Sequence, residues 1–114
     1  MTDLARGDLQ LDTSVPDRNV LMPPITLQGY IVVPEGDLNN VLEELPNHIT
    51  LTRQEPGCQD FMVKQDLNNP KRFQVYEIFA DRKTFQAHQQ RVSRSKWGRV
   101  TANAERHYDI QEIG

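Results

Sequence analysis

Ile25-Thr-Leu-Gln-Gly-Tyr-Ile-Val-Val33 runs directly into Pro34-Glu-Gly-Asp37, and the reading of this junction decides the fold. Ile25, Leu27, Ile31 and Val33 recur at period two, the alternation of a β-strand. Tyr30 and Val32 make the other face partly apolar, so the strand belongs at the centre of a sheet with both sides covered. Gly29, between Leu27 and Ile31, marks a bulge or a close backbone approach. Pro34 to Asp37 ends the strand, and Asp37 is an N-cap candidate. Leu38, Val41, Leu42, Leu45, Ile49 and Thr52 then keep the spacing of one helix face. Pro46 interrupts the backbone bonds of that pattern, which predicts one kinked helix, or two stacked pieces, to about Arg53.

Working outward, Glu55-Pro-Gly57 is a turn that stops the helix. Cys58 to Asp66 reads as a strand, with Phe61 and Val63 on one face and Met62 on the other. Asp66-Leu-Asn-Asn-Pro-Lys71 is rich in turn formers and joins it as a hairpin to a strand over Arg72–Phe79. Asp81 is the expected N-cap of a second helix carrying Phe85, His88 and Val92 on one side. Ser93 to Val100 predicts a short further helix that includes Trp97, and Arg106 to Ile110 a last strand. The order is β-α-β-β-α-(α)-β, the α+β, split βαβ or ferredoxin-like arrangement.

With 114 residues the chain has the length of one domain. Residues 25–114 carry the elements above. Residues 1–24 differ: they hold no aromatic residue and end in the stiff Met22-Pro23-Pro24. They read either as a poorly ordered tail or as an arm on a partner subunit. No apolar run approaches the roughly 18 residues of a membrane span. Met1 to Gln10 lacks the apolar core of a secretory leader, so the cytoplasm is the expected location. The net charge of −3 argues against nucleic acid. The basic stretch at Arg91, Arg94, Lys96 and Arg99 reads as a solvated helix surface. The single cysteine, Cys58, reads as a packed thiol. His48, His88 and His107 have no ligand spacing, so no metal site is expected.

Three runs resemble the antibiotic biosynthesis monooxygenase family. Leu51-Thr-Arg-Gln-Glu-Pro-Gly-Cys-Gln-Asp-Phe61 is similar to its helix–strand junction. Asn69-Pro-Lys-Arg-Phe-Gln-Val-Tyr-Glu-Ile-Phe-Ala-Asp81 is similar to its second hairpin strand, and Phe85-Gln-Ala-His88 to its Ala-Phe-x-x-His helix. The resemblance spans about Ile25 to Ile110. It implies a homodimer in which two ferredoxin-like sheets pair face to face as a dimeric α/β barrel. It also implies chemistry of the kind done by quinol and anthrone monooxygenases, which use O2 on a quinol or polyphenolic ring with no metal and no bound flavin. Other relatives degrade haem, and many have no known activity.

Glu77 shares a strand face with Phe73, Val75 and Phe79. A carboxylate there must be paired, hydrogen-bonded or neutralised. It is either a buried structural carboxylate or a pocket group. His88 faces the same layer, as a satisfied core histidine or as the base that deprotonates a phenol. The expected catalytic assignment is His88 as base with Glu77 as its orienting partner. Trp97, His48, Asn40 and Arg91 are the substrate-binding candidates. Trp97 is alternatively a core filler, and His48, out of phase with Leu45 and Ile49, is alternatively exposed. Tyr76 points away from Glu77, towards the dimer interface. Two other functions stay open: a non-enzymatic dimeric module that binds a small aromatic, and a haem-binding or haem-degrading protein.

Overall fold

In the computed structural model, residues 22–113 are described. The questions raised by residues 1–21, including the arm, lie outside them. The elements follow the expected order: β1 (Ile25–Val32), α1 (Leu38–Arg53), β2 (Cys58–Gln65), β3 (Arg72–Phe79), α2 (Arg82–Ser93), α3 (Lys96–Val100) and β4 (Glu105–Glu112). The four strands form one antiparallel sheet in the order β2-β3-β1-β4. The ends of the order are not joined, so among the described residues the sheet is open rather than a barrel. All helices lie on one face, as in ferredoxin-like α+β folds.

β1 is central because its alternating residues fit both neighbours. Leu27 pairs with Glu77 on β3 and with Ile110 on β4. Ile25, Leu27 and Ile31 of β1, Phe61 and Val63 of β2, and Phe73, Val75 and Phe79 of β3 are buried beneath the helices. Among the described residues nothing covers the opposite face: Tyr30, Val32, Tyr76 and Ile78 are half-buried and Met62 is exposed. Gly29 is a close approach rather than a bulge. A Cβ there would stand 1.9 Å from the His107 carbonyl oxygen on β4.

α1 differs from expectation in two ways. Asp37 does not cap it. A 3-10 turn, Glu35–Asp37, precedes the helix. Asp37 itself lies in the helical region (φ −99°, ψ −7°) and makes no side-chain cap bond; an N-cap needs extended backbone to bring its oxygen round. The buried stripe is also rotated. Val41, Glu44, His48 and Thr52 are buried, Leu38, Leu45 and Ile49 are partly covered, and Leu42 is 38% exposed. Two of the four most central positions are therefore ionisable. The helix is continuous through Pro46, which faces solvent, where water can satisfy the carbonyl that proline leaves without a donor.

α2 begins as expected. The Asp81 carboxylate accepts from Thr84 N–H at 2.8 Å, and the Thr84 hydroxyl pairs with Asp81 N–H in return, a reciprocal cap. Gly57, at φ +84°, packs its α-carbon against Thr84 and accepts from Ala80 N–H at 2.8 Å. The turn after α1 is thereby fastened to the start of α2. α3 is shorter than expected because Ser95 caps it, accepting from Gly98 N–H at 3.1 Å. Among the described residues no helix is long and apolar enough to cross a membrane.

Candidate active site

A cavity of about 510 Å³ lies between the sheet and the helices. Leu27 and Ile31 of β1 and Glu77 of β3 supply its floor. His48 of α1 and His88 of α2 face each other across it, Trp97 of α3 closes one side, and Tyr108 and Arg106 of β4 stand at the rim. Glu77, His48, His88 and Trp97 are each more than nine-tenths buried. Strand alternation dictates the place of Glu77, two residues from Val75 and from Phe79. Helical spacing sets His88 one turn beyond Phe85.

His88 is held from both sides. Its Nδ1 lies 2.7 Å from Glu55 Oε1. A carboxylate can only accept, so Nδ1 carries the proton and the neutral ring keeps a lone pair on Nε2. Glu55 is fixed in turn by the Arg91 guanidinium, which also donates to the Thr52 hydroxyl at 3.1 Å. The Phe79 ring stacks on the imidazole with centroids 4.7 Å apart. On the far side, His88 Nε2 looks towards Glu77 Oε1 at 3.7 Å, too long for a hydrogen bond. The orienting contact expected of Glu77 is thus made by Glu55, whose turn reaches α2 when Gly57 packs on Thr84.

Burial sets the protonation. It pushes the Glu77 carboxyl up to about 8, helped by the Glu55 charge, so near neutrality Glu77 is mostly the neutral acid. Its Oε1 is buried with no hydrogen-bond partner among the described residues. Burial also pulls His88 below its ordinary value, against the raising influence of Glu55. His48 falls to about 3, first by burial, then by His88 and Arg91. Its ring lies flat on Trp97, with centroids 4.4 Å apart and planes 2° apart. His48 is accordingly not an exposed residue: the rotation of α1 turns it inward.

Of the six residues singled out from the sequence, the fold brings Glu77, His88, His48 and Trp97 to one cavity. Arg91 stands behind it, on Glu55. Asn40 is exposed on the first turn of α1 and does not line the cavity. Glu55 is not among the candidates from the sequence, where Glu55-Pro-Gly57 reads as a turn within the family-like junction and gives Glu55 no role of its own. Its signal was a carboxylate two residues beyond Arg53, at a junction that must dock on the next helix. A larger hollow of about 1090 Å³ lies on the open sheet face, around Met62 and Tyr76. Its ionisable groups Asp60, His107 and Asp109 are exposed, so water screens them. The buried ionisable groups Glu77, His48 and His88 line the smaller cavity instead.

The sequence profile of the antibiotic biosynthesis monooxygenase family matches residues 24–99, from the start of β1 through α3. The chain belongs to this family. No curated protein matches it. Among solved structures it is similar to a conserved Bacteroides thetaiotaomicron protein of unknown function, described as a possible oxidoreductase. That likeness has a TM-score of 0.68 at 17% identity and covers 80% of this chain and 98% of the other. It is also similar to a Nitrosomonas europaea protein described as a candidate antibiotic biosynthesis monooxygenase, with a TM-score of 0.63, 23% identity, and 80% and 88% coverage. Pseudomonas fluorescens MupZ gives a TM-score of 0.65 at 16% identity, covering 79% of this chain and 72% of that one. At these identities the likeness is one of fold.

Proposed function

We propose that this family member is a monooxygenase that places one oxygen of O2 on a quinol or polyphenolic ring, with neither a metal nor a flavin, and that it works as a homodimer. The observation that carries the reading is a buried imidazole tied at Nδ1 to Glu55 and open at Nε2 to a cavity whose other polar wall is Glu77. A ring hydroxyl between Nε2 and Glu77 donates its proton to His88 and accepts one hydrogen bond from neutral Glu77. The phenolate that results is electron-rich, and Glu77 stabilises its oxygen as charge develops. One electron passes from this anion to O2, and the radical pair closes a C–O bond as a ring hydroperoxide anion. The proton held on His88 Nε2 returns to that peroxide. Loss of water, taking hydroxide from the peroxide and the proton from the same ring carbon, leaves a carbonyl. A dihydroxy ring and O2 thus give a hydroxyquinone and water, and the ring supplies all four electrons.

Oxygen uptake with a panel of hydroquinones, naphthalenediols and anthrones tests the proposal. Uptake should fall by about 10²–10⁴-fold in His88→Ala, the range typical of a lost general base. Full turnover in His88→Ala would remove His88 from the mechanism. Tight binding of the aromatics without uptake would favour a non-enzymatic binding module, and a Soret band on adding haemin, lost in His88→Ala, a haem protein.

A further inference from the structure

His48 is unused by the chemistry above, yet it is built into the same cavity. It is 3% exposed, and its Nδ1 is buried with no hydrogen-bond partner among the described residues. Leaving a buried ring nitrogen unpaired costs free energy unless a ligand completes it. Trp97 covers one face of the ring and Phe61 meets it edge-on, with centroids 5.3 Å apart, so the plane of the imidazole is fixed. Burial beside His88 and Arg91 keeps it neutral, with one donor and one acceptor nitrogen. The ring centroids of His48 and His88 are 6.4 Å apart. Both rings line the same cavity, and one planar ligand with two oxygens can span that spacing while each oxygen lies about 2.8 Å from one imidazole.

We propose that His48 determines specificity in this cavity by pairing with a second ligand oxygen, so that the substrate is a planar aromatic carrying two oxygens on one edge, one at His88 and the other at His48. The inference rests on the reading of the cavity as an aromatic-substrate site, and it selects ortho or peri oxygen pairs over rings with oxygens on opposite edges. Trp97 then holds His48 in plane instead of stacking on the ligand.

Isothermal titration under argon tests this with two naphthalenediols, the peri isomer and an isomer with its hydroxyls on opposite edges. The wild-type protein should bind the peri isomer about tenfold more tightly, the value of one hydrogen bond. His48→Phe keeps a ring on Trp97 and removes the pairing, so the two isomers should come within about twofold of each other. His48→Gln, with a donor and an acceptor, should restore part of the preference. Equal affinities in wild type, no measurable binding of either isomer, or a preference that survives in His48→Phe would overturn the proposal. If His48→Phe does not fold, the wild-type comparison and His48→Gln decide. Because oxygen is excluded, the binding result is separate from turnover: an isomer preference without oxygen uptake sinks the oxygenase reading alone.

Discussion

Glu77 is a carboxyl group enclosed by apolar neighbours, and this makes it a probe of the site without any substrate. Its folded value near 8 exceeds the ordinary 4.5. Between these values the native state holds a proton that the unfolded state has released, so stability falls as pH rises through that window. The slope is at most about 1.4 kcal/mol per pH unit. Urea midpoints between pH 5 and 8 should show Glu77→Gln gaining on wild type as pH rises. A constant difference would mean that Glu77 is ionised in the folded protein. His48 acts in the opposite direction. Its folded value of about 3 lies below the ordinary 6.5, so its contribution is present above 6.5 and is lost as pH falls towards 3. Glu55 governs His88 instead. Its charge and its hydrogen bond both favour the imidazolium, so Glu55→Gln should move the acid limb of the pH–rate profile down by roughly one unit. A purely structural Glu55 would leave that limb in place. Glu77 and His88 could be read in the sequence because each sits in phase with apolar neighbours. His48 is a candidate in the sequence, but its inward orientation is not legible there: Leu45 and Ile49 mark one side of α1, whereas the centre of its packed face is polar. Glu55 was hidden for another reason, since a turn residue has no periodicity to betray what it touches.

The elements themselves were more readable, because turn and cap chemistry is local. Asp81 and Thr84 state the start of α2 in four residues, and the hairpin from Asp66 to Lys71 follows from its turn formers: Asp66 Oδ1 accepts from Asn68 N–H at 2.7 Å. Asp81→Ala should cost about 1 kcal/mol of unfolding free energy, read from the urea midpoint. Asp37 departs from the expected cap because the same residue type in helical rather than extended backbone cannot cap. Gly29 makes the sharper prediction. Its β1 position pairs with Val75 on one side and Tyr108 on the other, and the space a Cβ needs is filled by a backbone oxygen of β4, which cannot rotate away. Gly29→Ala should therefore push β4 off the sheet and lower stability by at least about 2 kcal/mol. Amide exchange should speed up first along Glu105–Glu112, with β3 less affected. Uniform acceleration across all strands would show that the strain spreads through the whole sheet.

At the scale of the molecule, the sheet has one face under helices and one that no other described residue covers. The strand alternation that buries Phe73, Val75 and Phe79 leaves Tyr76 and Ile78 on the other side, and Tyr76 sits opposite Gln28 on β1 and Met62 on β2. Apolar groups on β1 facing both ways signal a strand covered on both sides; the described residues of one chain supply only half of that cover. A second copy, packed sheet to sheet, is the occupant that the family resemblance implies, and it would bury Tyr30, Val32, Met62, Tyr76 and Ile78 together. Light scattering should then give about twice the 13.2 kDa chain mass. Tyr76→Asp places a charge where the two sheets would meet and leaves the helix-covered face untouched, so it should return the mass to that of one chain. Its secondary structure should be retained, because Tyr76 is not part of the buried core. A wild-type mass equal to one chain would leave the open face unpaired. A dimer unchanged by Tyr76→Asp would place the contact elsewhere. Because β3 carries Tyr76 on one face and Glu77 on the other, loss of the dimer should also raise the KM of the cavity, as a strand freed on one side holds its buried carboxyl less firmly.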